Sequence, residues 1–275
     1  MVKTSGNTTG ESLVMIHGWG MNSGVWESIR SELESEYLVI WIDLPGYGIN
    51  SNIVAKSMKD IISLILPQLP DNTHLLGWSL GGLVVQAIAN ELVCTNQADK
   101  LKSLTLVASS AKFSQSDDWQ HAITKIVLSN FSQSLQEDIQ GTLRRFVALQ
   151  FMGVKGTRDI QKKLIDGILL NTAKYKMAKK GGGDKICTNT PHYQALSLGL
   201  EILKNADYRK VSHKIPKHWI LADKDRLIPP AVINDLQFLY PDDQITLLEN
   251  AGHAPFMTSP DEFFTCMNSF IKSHS

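Results

Sequence analysis

The stretch Leu75-Leu76-Gly77-Trp78-Ser79-Leu80-Gly81-Gly82 decides how the rest of the chain reads. An apolar run enters Gly-x-Ser-x-Gly and passes at once into a helical pattern carrying Leu83, Val84, Val85, Ala87, Ile88 and Ala89. A serine in that setting sits on a cramped strand-to-helix turn with its hydroxyl pushed clear of the backbone. Gly77 and Gly81 keep side-chain bulk out of the place where the two backbones come close. The start of the helix turns N–H groups toward the serine, which suits a developing negative charge. The plainer reading is a glycine-rich turn with an incidental serine. Partner residues elsewhere in the chain decide between the two.

Working outward, short continuous apolar runs alternate with helical spacing. Residues 12–16, 37–42 and 104–108 read as strands, and 26–33, 57–66 and 82–92 as helices. Continuous apolar strands alternating with helices predict an α/β fold with a parallel sheet covered on both faces. From about residue 111 to about 208 the alternation stops, and helices are expected at 119–129, 135–151, 158–170 and 193–203. The expected organisation is therefore a core of residues 1–110 and 209–275 with a helical cap, 111–208, inserted into it. Segment 174–190 holds Lys179-Lys180-Gly181-Gly182-Gly183 and reads as a loop. Strands resume at 218–222 and 244–248, and a helix over 260–271 closes the chain.

Composition narrows the function. No stretch of about 20 apolar residues exists, so no membrane-spanning segment is expected. The first eleven residues are polar and do not read as a secretory signal. Cys94, Cys187 and Cys266 fall in no metal-ligand pattern and read as reduced thiols, which points to the cytoplasm. The 275 residues carry zero net charge, so no nucleic-acid partner is expected. The distribution is uneven, however. Residues 112–192 hold 13 Lys and Arg against 7 Asp and Glu, a basic middle in an acidic scaffold. One reading is chance plus solvated helix faces; the sharper one is a surface for an acidic partner.

In open α/β sheets, ligands bind beyond the carboxyl ends of the strands. The residues at each strand's carboxyl end are therefore a test of function. After the first strand comes His17-Gly18-Trp19, after the third Ser79, after 218–222 Asp223-Lys224-Asp225, and after the last Gly252-His253. Ser, acid and His in that order at three strand ends is the chain order of α/β-hydrolases. A free serine hydroxyl is a poor nucleophile and needs an adjacent base, which His253 supplies. An acid then fixes the histidine tautomer and stabilises the imidazolium. Asp225, with Leu227-Ile228-Pro229 beyond it as apolar cover, is preferred over Asp223, which reads as a turn-former. Oxyanion donors are expected from the N–H groups of Leu80 and Trp19. His17 is expected to shape its loop rather than react. Neither a nucleotide cradle nor zinc spacing is present, so no cofactor or metal is expected.

The motifs His17-Gly18-Trp19-Gly20-Met21-Asn22 and Gly77-Trp78-Ser79-Leu80-Gly81-Gly82 are joined by three others: residues 145–153 (Arg-Phe-Val-Ala-Leu-Gln-Phe-Met-Gly), residues 199–204 (Gly-Leu-Glu-Ile-Leu-Lys) and Gly252-His253-Ala254-Pro255-Phe256. Together they resemble the esterases of biotin synthesis that act on the methyl ester of pimeloyl-acyl carrier protein. The resemblance spans nearly the whole chain, and the cap motifs are its more specific part. It implies an α/β-hydrolase fold with a Ser79, Asp225, His253 triad, and oxyanion donors Trp19 and Leu80. It also implies Phe146 and Gln150 on the acyl channel, and Arg145, Arg158 and Lys162 as carrier-protein contacts. Gly141 falls where another basic residue would be expected. An acyl carrier protein is thus the expected partner, and the enzyme is expected to act as a monomer. Two departures stand out: the N-terminus looks short for this fold, so the sheet is expected to be trimmed at one edge, and segment 174–190 looks like an insertion. Other readings stay open, namely a general short-chain carboxylesterase, a C–C bond hydrolase with the same triad, or a non-catalytic protein of this fold.

Overall fold

The computed structural model describes residues 2–173, 189–211 and 214–275. Seven strands form one sheet: β1 (Val2–Gly6), β2 (Ser12–Ile16), β3 (Leu38–Ile42), β4 (Thr73–Trp78), β5 (Leu101–Val107), β6 (Lys217–Ala222) and β7 (Gln244–Leu248). Their spatial order is β1-β3-β2-β4-β5-β6-β7, and every pairing is parallel except β1 with β3. The α/β-hydrolase expectation holds. Strand β1 is an addition to the sequence reading: it pairs antiparallel with β3 at one edge of the sheet. Its residues are mostly polar and only half-covered, because it pairs on one side alone. Ser5 Oγ accepts the Trp41 indole N–H at 2.7 Å and donates to Glu34 at 2.6 Å.

The described residues form ten α-helices: α1 (Arg30–Glu36), α2 (Met58–Ile65), α3 (Leu80–Cys94), α4 (Lys125–Glu137), α5 (Ile139–Gln150), α6 (Arg158–Ala173), α7 (Pro191–Asn205), α8 (Val232–Leu239), α9 (Pro255–Thr258) and α10 (Pro260–Lys272). Strands β2 and β4 are buried along nearly their whole length, as strands covered on both faces must be. Helix α3 is buried around most of its circumference, which explains its apolar sequence.

Four helices, α4 to α7, lie in the chain between β5 and β6. Their boundaries depart from the sequence reading. The expected helix at 119–129 starts only at Lys125, where the Thr124 side chain accepts the Val127 N–H. The expected single helix 135–151 is two, because Asp138 leaves helical geometry and caps α5 by accepting the Gly141 N–H at 2.9 Å. Helix α7 is anchored to the sheet side of the molecule by two long-range bonds. Trp19 Nε1–H donates to the Leu196 carbonyl at 2.8 Å, and His192 Nδ1 meets the Gly46 carbonyl at 3.0 Å. The loop expected at 174–190 lies almost wholly outside the described residues, as does Cys187.

The strand order turns around between β2 and β4: the chain moves outward from β2 to β3, then crosses back to β4 on the other side. A crevice opens beyond the carboxyl ends of strands at such a switch point. Those two ends are His17-Gly18-Trp19 and Ser79.

Candidate active site

Ser79 sits at φ 55° and ψ −119°, a strained conformation for a residue with a side chain. The turn is possible because its neighbours lack Cβ atoms. A Cβ at position 77 would lie 2.3 Å from the Gly81 carbonyl oxygen, and one at position 81 would lie 2.3 Å from that of Ile16. The elbow is pinned from β5 as well: the Ser79 N–H donates to the Val107 carbonyl at 2.9 Å, and the Ser79 carbonyl accepts the Ser109 hydroxyl at 2.9 Å.

His253 Nε2 lies 2.8 Å from Ser79 Oγ, and His253 Nδ1 lies 2.7 Å from Asp225 Oδ2. All three residues are buried. The second Asp225 oxygen accepts the N–H groups of Leu227 and Ile228 at 2.7 and 2.9 Å, which fixes the carboxylate plane. Asp223 goes elsewhere: it accepts the Ala251 N–H at 3.2 Å and pairs with Lys224 at 3.0 Å. A Ser-His-carboxylate line lets the hydroxyl proton pass to the imidazole while the carboxylate holds its tautomer.

The His253 backbone is clamped on both sides. Its N–H donates to the Gln150 carbonyl at 3.0 Å, and its carbonyl accepts the Trp78 indole N–H at 2.7 Å. The sequence motif contains Trp78 but assigns it no role; its position beside Ser79 is the available signal. Ser109 also lies outside the sequence-predicted site, although it comes just after a strand end like the other site residues.

Leu80 opens α3, so its N–H has no acceptor within the helix. Trp19 is next to Gly18, and a Cβ on Gly18 would lie 3.2 Å from that of Ser79, so this loop abuts the elbow. His17 is fully buried and shapes the same loop. Its Nδ1 meets the Gly18 carbonyl at 2.8 Å, and its Nε2 accepts the Leu44 N–H at 3.0 Å. Burial lowers its pKa against the opposing pull of Asp43 and the Gly18 carbonyl. An apolar pocket opens at Ser79 and is walled by Val127, Phe131, Phe146, Leu200 and Leu227. Phe146 packs edge-on against Trp19, ring centroids 4.7 Å apart. Gln150 ends α5 with its side chain fully buried. Arg145, Arg158 and Lys162 are exposed on α5 and α6, away from this pocket lining.

Among the described residues no group of three or more His, Cys, Asp or Glu is arranged to hold a metal ion, and no helix is long and apolar enough to cross a membrane.

The comparisons with known proteins agree with this fold. Residues 11–260 match the family model described as the alpha/beta hydrolase fold. The pimeloyl-[acyl-carrier protein] methyl ester esterase of Pseudoalteromonas atlantica is 34% identical over 267 residues, covering 95% of both chains. That of Klebsiella pneumoniae is 34% identical over 253 residues, covering 91% of this chain and 90% of the relative. Among solved structures, an esterase from Exiguobacterium antarcticum superposes with a TM-score of 0.80 at 18% identity, covering 98% of this chain and 94% of that one. A bromoperoxidase from Bacillus anthracis gives a TM-score of 0.80 at 20% identity with the same coverage. At such identities these two speak for the fold alone.

Proposed function

The chain belongs to the pimeloyl-[acyl-carrier protein] methyl ester esterases within the α/β-hydrolase family, and we propose that it hydrolyses that methyl ester through Ser79, His253 and Asp225. His253 takes the Ser79 proton as Oγ attacks the ester carbonyl. The Leu80 and Trp19 N–H groups receive the oxyanion, each such donor contributing about 3–4 kcal/mol. The tetrahedral intermediate collapses, methanol leaves with the proton from His253, and a water activated by the same histidine releases the acid. The products are pimeloyl-acyl carrier protein and methanol, in the route to biotin.

The observation that carries this reading is the unbroken line from Asp225 through His253 to Ser79, which borders a pocket with apolar walls. Phe146 supplies part of that wall. The Gln150 amide is buried, and neither of its polar atoms has a hydrogen-bond partner among the described residues. An unpaired buried amide costs about 1–3 kcal/mol, although Gln150 itself is not among the residues lining that pocket.

Helices α4 to α7 act as the cap over residues 111–208. Their exposed Arg145, Arg158 and Lys162 receive the acidic carrier protein by charge, an attraction that salt screens. The enzyme works in the cytoplasm, as a monomer.

The test compares kcat/KM for methyl pimeloyl-acyl carrier protein and free dimethyl pimelate, with Ser79→Ala alongside. A large preference for the carrier-bound ester, abolished in Ser79→Ala, is the expected result. Equal rates that Ser79→Ala abolishes would leave a general esterase. Activity surviving Ser79→Ala would overturn the triad.

A further inference from the structure

We propose that Ser109 is a positioning residue for the oxyanion site, acting through the peptide that joins Ser79 to Leu80. The inference rests on the Leu80 N–H being an oxyanion donor.

No peptide bond among the described residues is cis, so the Ser79 carbonyl and the Leu80 N–H point in opposite directions across one plane. Whatever holds the carbonyl therefore aims the N–H. The carbonyl has two donors: the Gly82 N–H at 2.9 Å and the Ser109 hydroxyl at 2.9 Å. The Gly82 bond is local to the first helical turn and moves with it. The Ser109 bond comes from beyond another strand and ties the plane to the sheet.

Such a tie matters because the elbow is strained. With φ at 55° and ψ at −119°, Ser79 gains energy by rotating toward ordinary backbone geometry. Rotation about ψ would swing the Leu80 N–H off the reacting carbonyl. Ser109 is fully buried, so water does not compete for the bond. Donation to the carbonyl also polarises the amide and strengthens its N–H as a donor.

The surroundings are shaped to deliver this hydroxyl. Ala108 adopts φ 42°, a left-handed conformation costly for alanine, and its N–H donates to the Ile220 carbonyl at 2.8 Å. The strained step turns the chain out of β5 and brings Ser109 against α3. A Cβ at position 82 would lie 2.3 Å from Ser109 Oγ. Gly82, the glycine beyond the Gly-x-Ser-x-Gly motif, thus leaves the space that the hydroxyl fills.

The experiment is steady-state kinetics of Ser109→Ala and Ser109→Cys with the carrier-bound methyl ester, plus inhibition by a seven-carbon trifluoromethyl ketone. Ser79 adds to that ketone and leaves an oxyanion in the same place. The expected result is a fall in kcat of about tenfold for Ser109→Ala, the scale of one buried hydrogen bond and well short of losing a donor outright. KM should stay within about twofold, and ketone affinity should fall in proportion to kcat. Ser109→Cys, with its weaker donor, should fall between the alanine variant and the parent, and it carries the same comparison if Ser109→Ala does not fold. Wild-type kcat and ketone affinity in a variant with a lowered Tm would mean that Ser109 only holds the fold, and would overturn the inference. Should Ser79→Ala itself retain activity, the active-site reading fails, and this inference with it.

Discussion

The indole N–H of Trp78 donates to the backbone carbonyl of His253 at 2.7 Å. The residue next to Ser79 in the chain thereby holds the histidine bonded to Ser79, across 175 positions of sequence. Trp78 is itself wedged against Phe256 and Trp26, with ring centroids at 5.1 and 6.2 Å, so the donor is rigid. Trp78→Phe leaves the His253 carbonyl buried and unpaired. Urea denaturation should show a loss of about 2–4 kcal/mol, and kcat should fall more than KM rises.

The two carboxylates after β6 are separable by mutation. Asp225→Asn keeps an oxygen for the Leu227 and Ile228 N–H groups but turns an NH2 toward His253 Nδ1, which favours the wrong tautomer. A fall in kcat of about 10⁴-fold is expected, with little change in Tm. Asp223→Asn keeps its acceptor for Ala251 and should stay within about threefold of the parent. Equal losses in the two variants would contradict the assignment of Asp225.

Gly199 marks where α7 meets Trp19 and Leu80. A Cβ there would lie 2.5 Å from Trp19 Cδ1 and 3.1 Å from Leu80 Cδ2. Gly199→Ala should therefore displace Trp19 or the helix, lowering stability by about 1–3 kcal/mol. It should also reduce kcat/KM on small free esters, which need no carrier-protein docking. A thermal melt and an assay with dimethyl pimelate check both effects.

Acid should destabilise the protein through His218. This side chain is fully buried on β6, bonded through Nε2 to Thr246 at 2.8 Å and packed against Phe270. Burial pushes its pKa from 6.5 down to about 4. The unfolded chain thus binds a proton that the folded one refuses, and stability drains away as pH falls from about 6.5 to about 4. The loss amounts to about 3 kcal/mol at most. Urea midpoints at pH 7 and pH 4.5 should reveal it, and His218→Leu should flatten the slope. His17, His74 and His192, also lowered mainly by burial, add in the same direction.

Charge reversal on α6 tests the proposed docking of the carrier protein. Arg158→Glu with Lys162→Glu should raise KM for the carrier-bound ester about tenfold at low salt and leave dimethyl pimelate unaffected. Unchanged kinetics on both substrates would remove these residues from the docking surface.

Much of the arrangement is legible in the sequence because its signals are local. Glycines beside Ser79, apolar runs of strand length, and polar residues where those runs stop all arise from backbone sterics within a few positions. Boundaries inside 111–208 are less legible. There the helices are amphipathic and irregularly spaced, and the capping side chains of Thr124 and Asp138 outweigh periodicity. Strand β1 escapes the apolar pattern because an edge strand needs little apolar surface.

By itself, then, the sequence determined the fold class and the placing of Ser79, Asp225 and His253 at strand ends, since strands, elbows and chain order are written in neighbouring residues. Only the tertiary structure decided which acid faces His253, that Trp78 and Gln150 clamp its backbone, and that Ser109 reaches the Ser79 carbonyl. Those distances arise from how strands β4, β5 and β6 and helix α5 pack. Packing is a property of surfaces brought together from distant parts of the chain, and no local pattern encodes it.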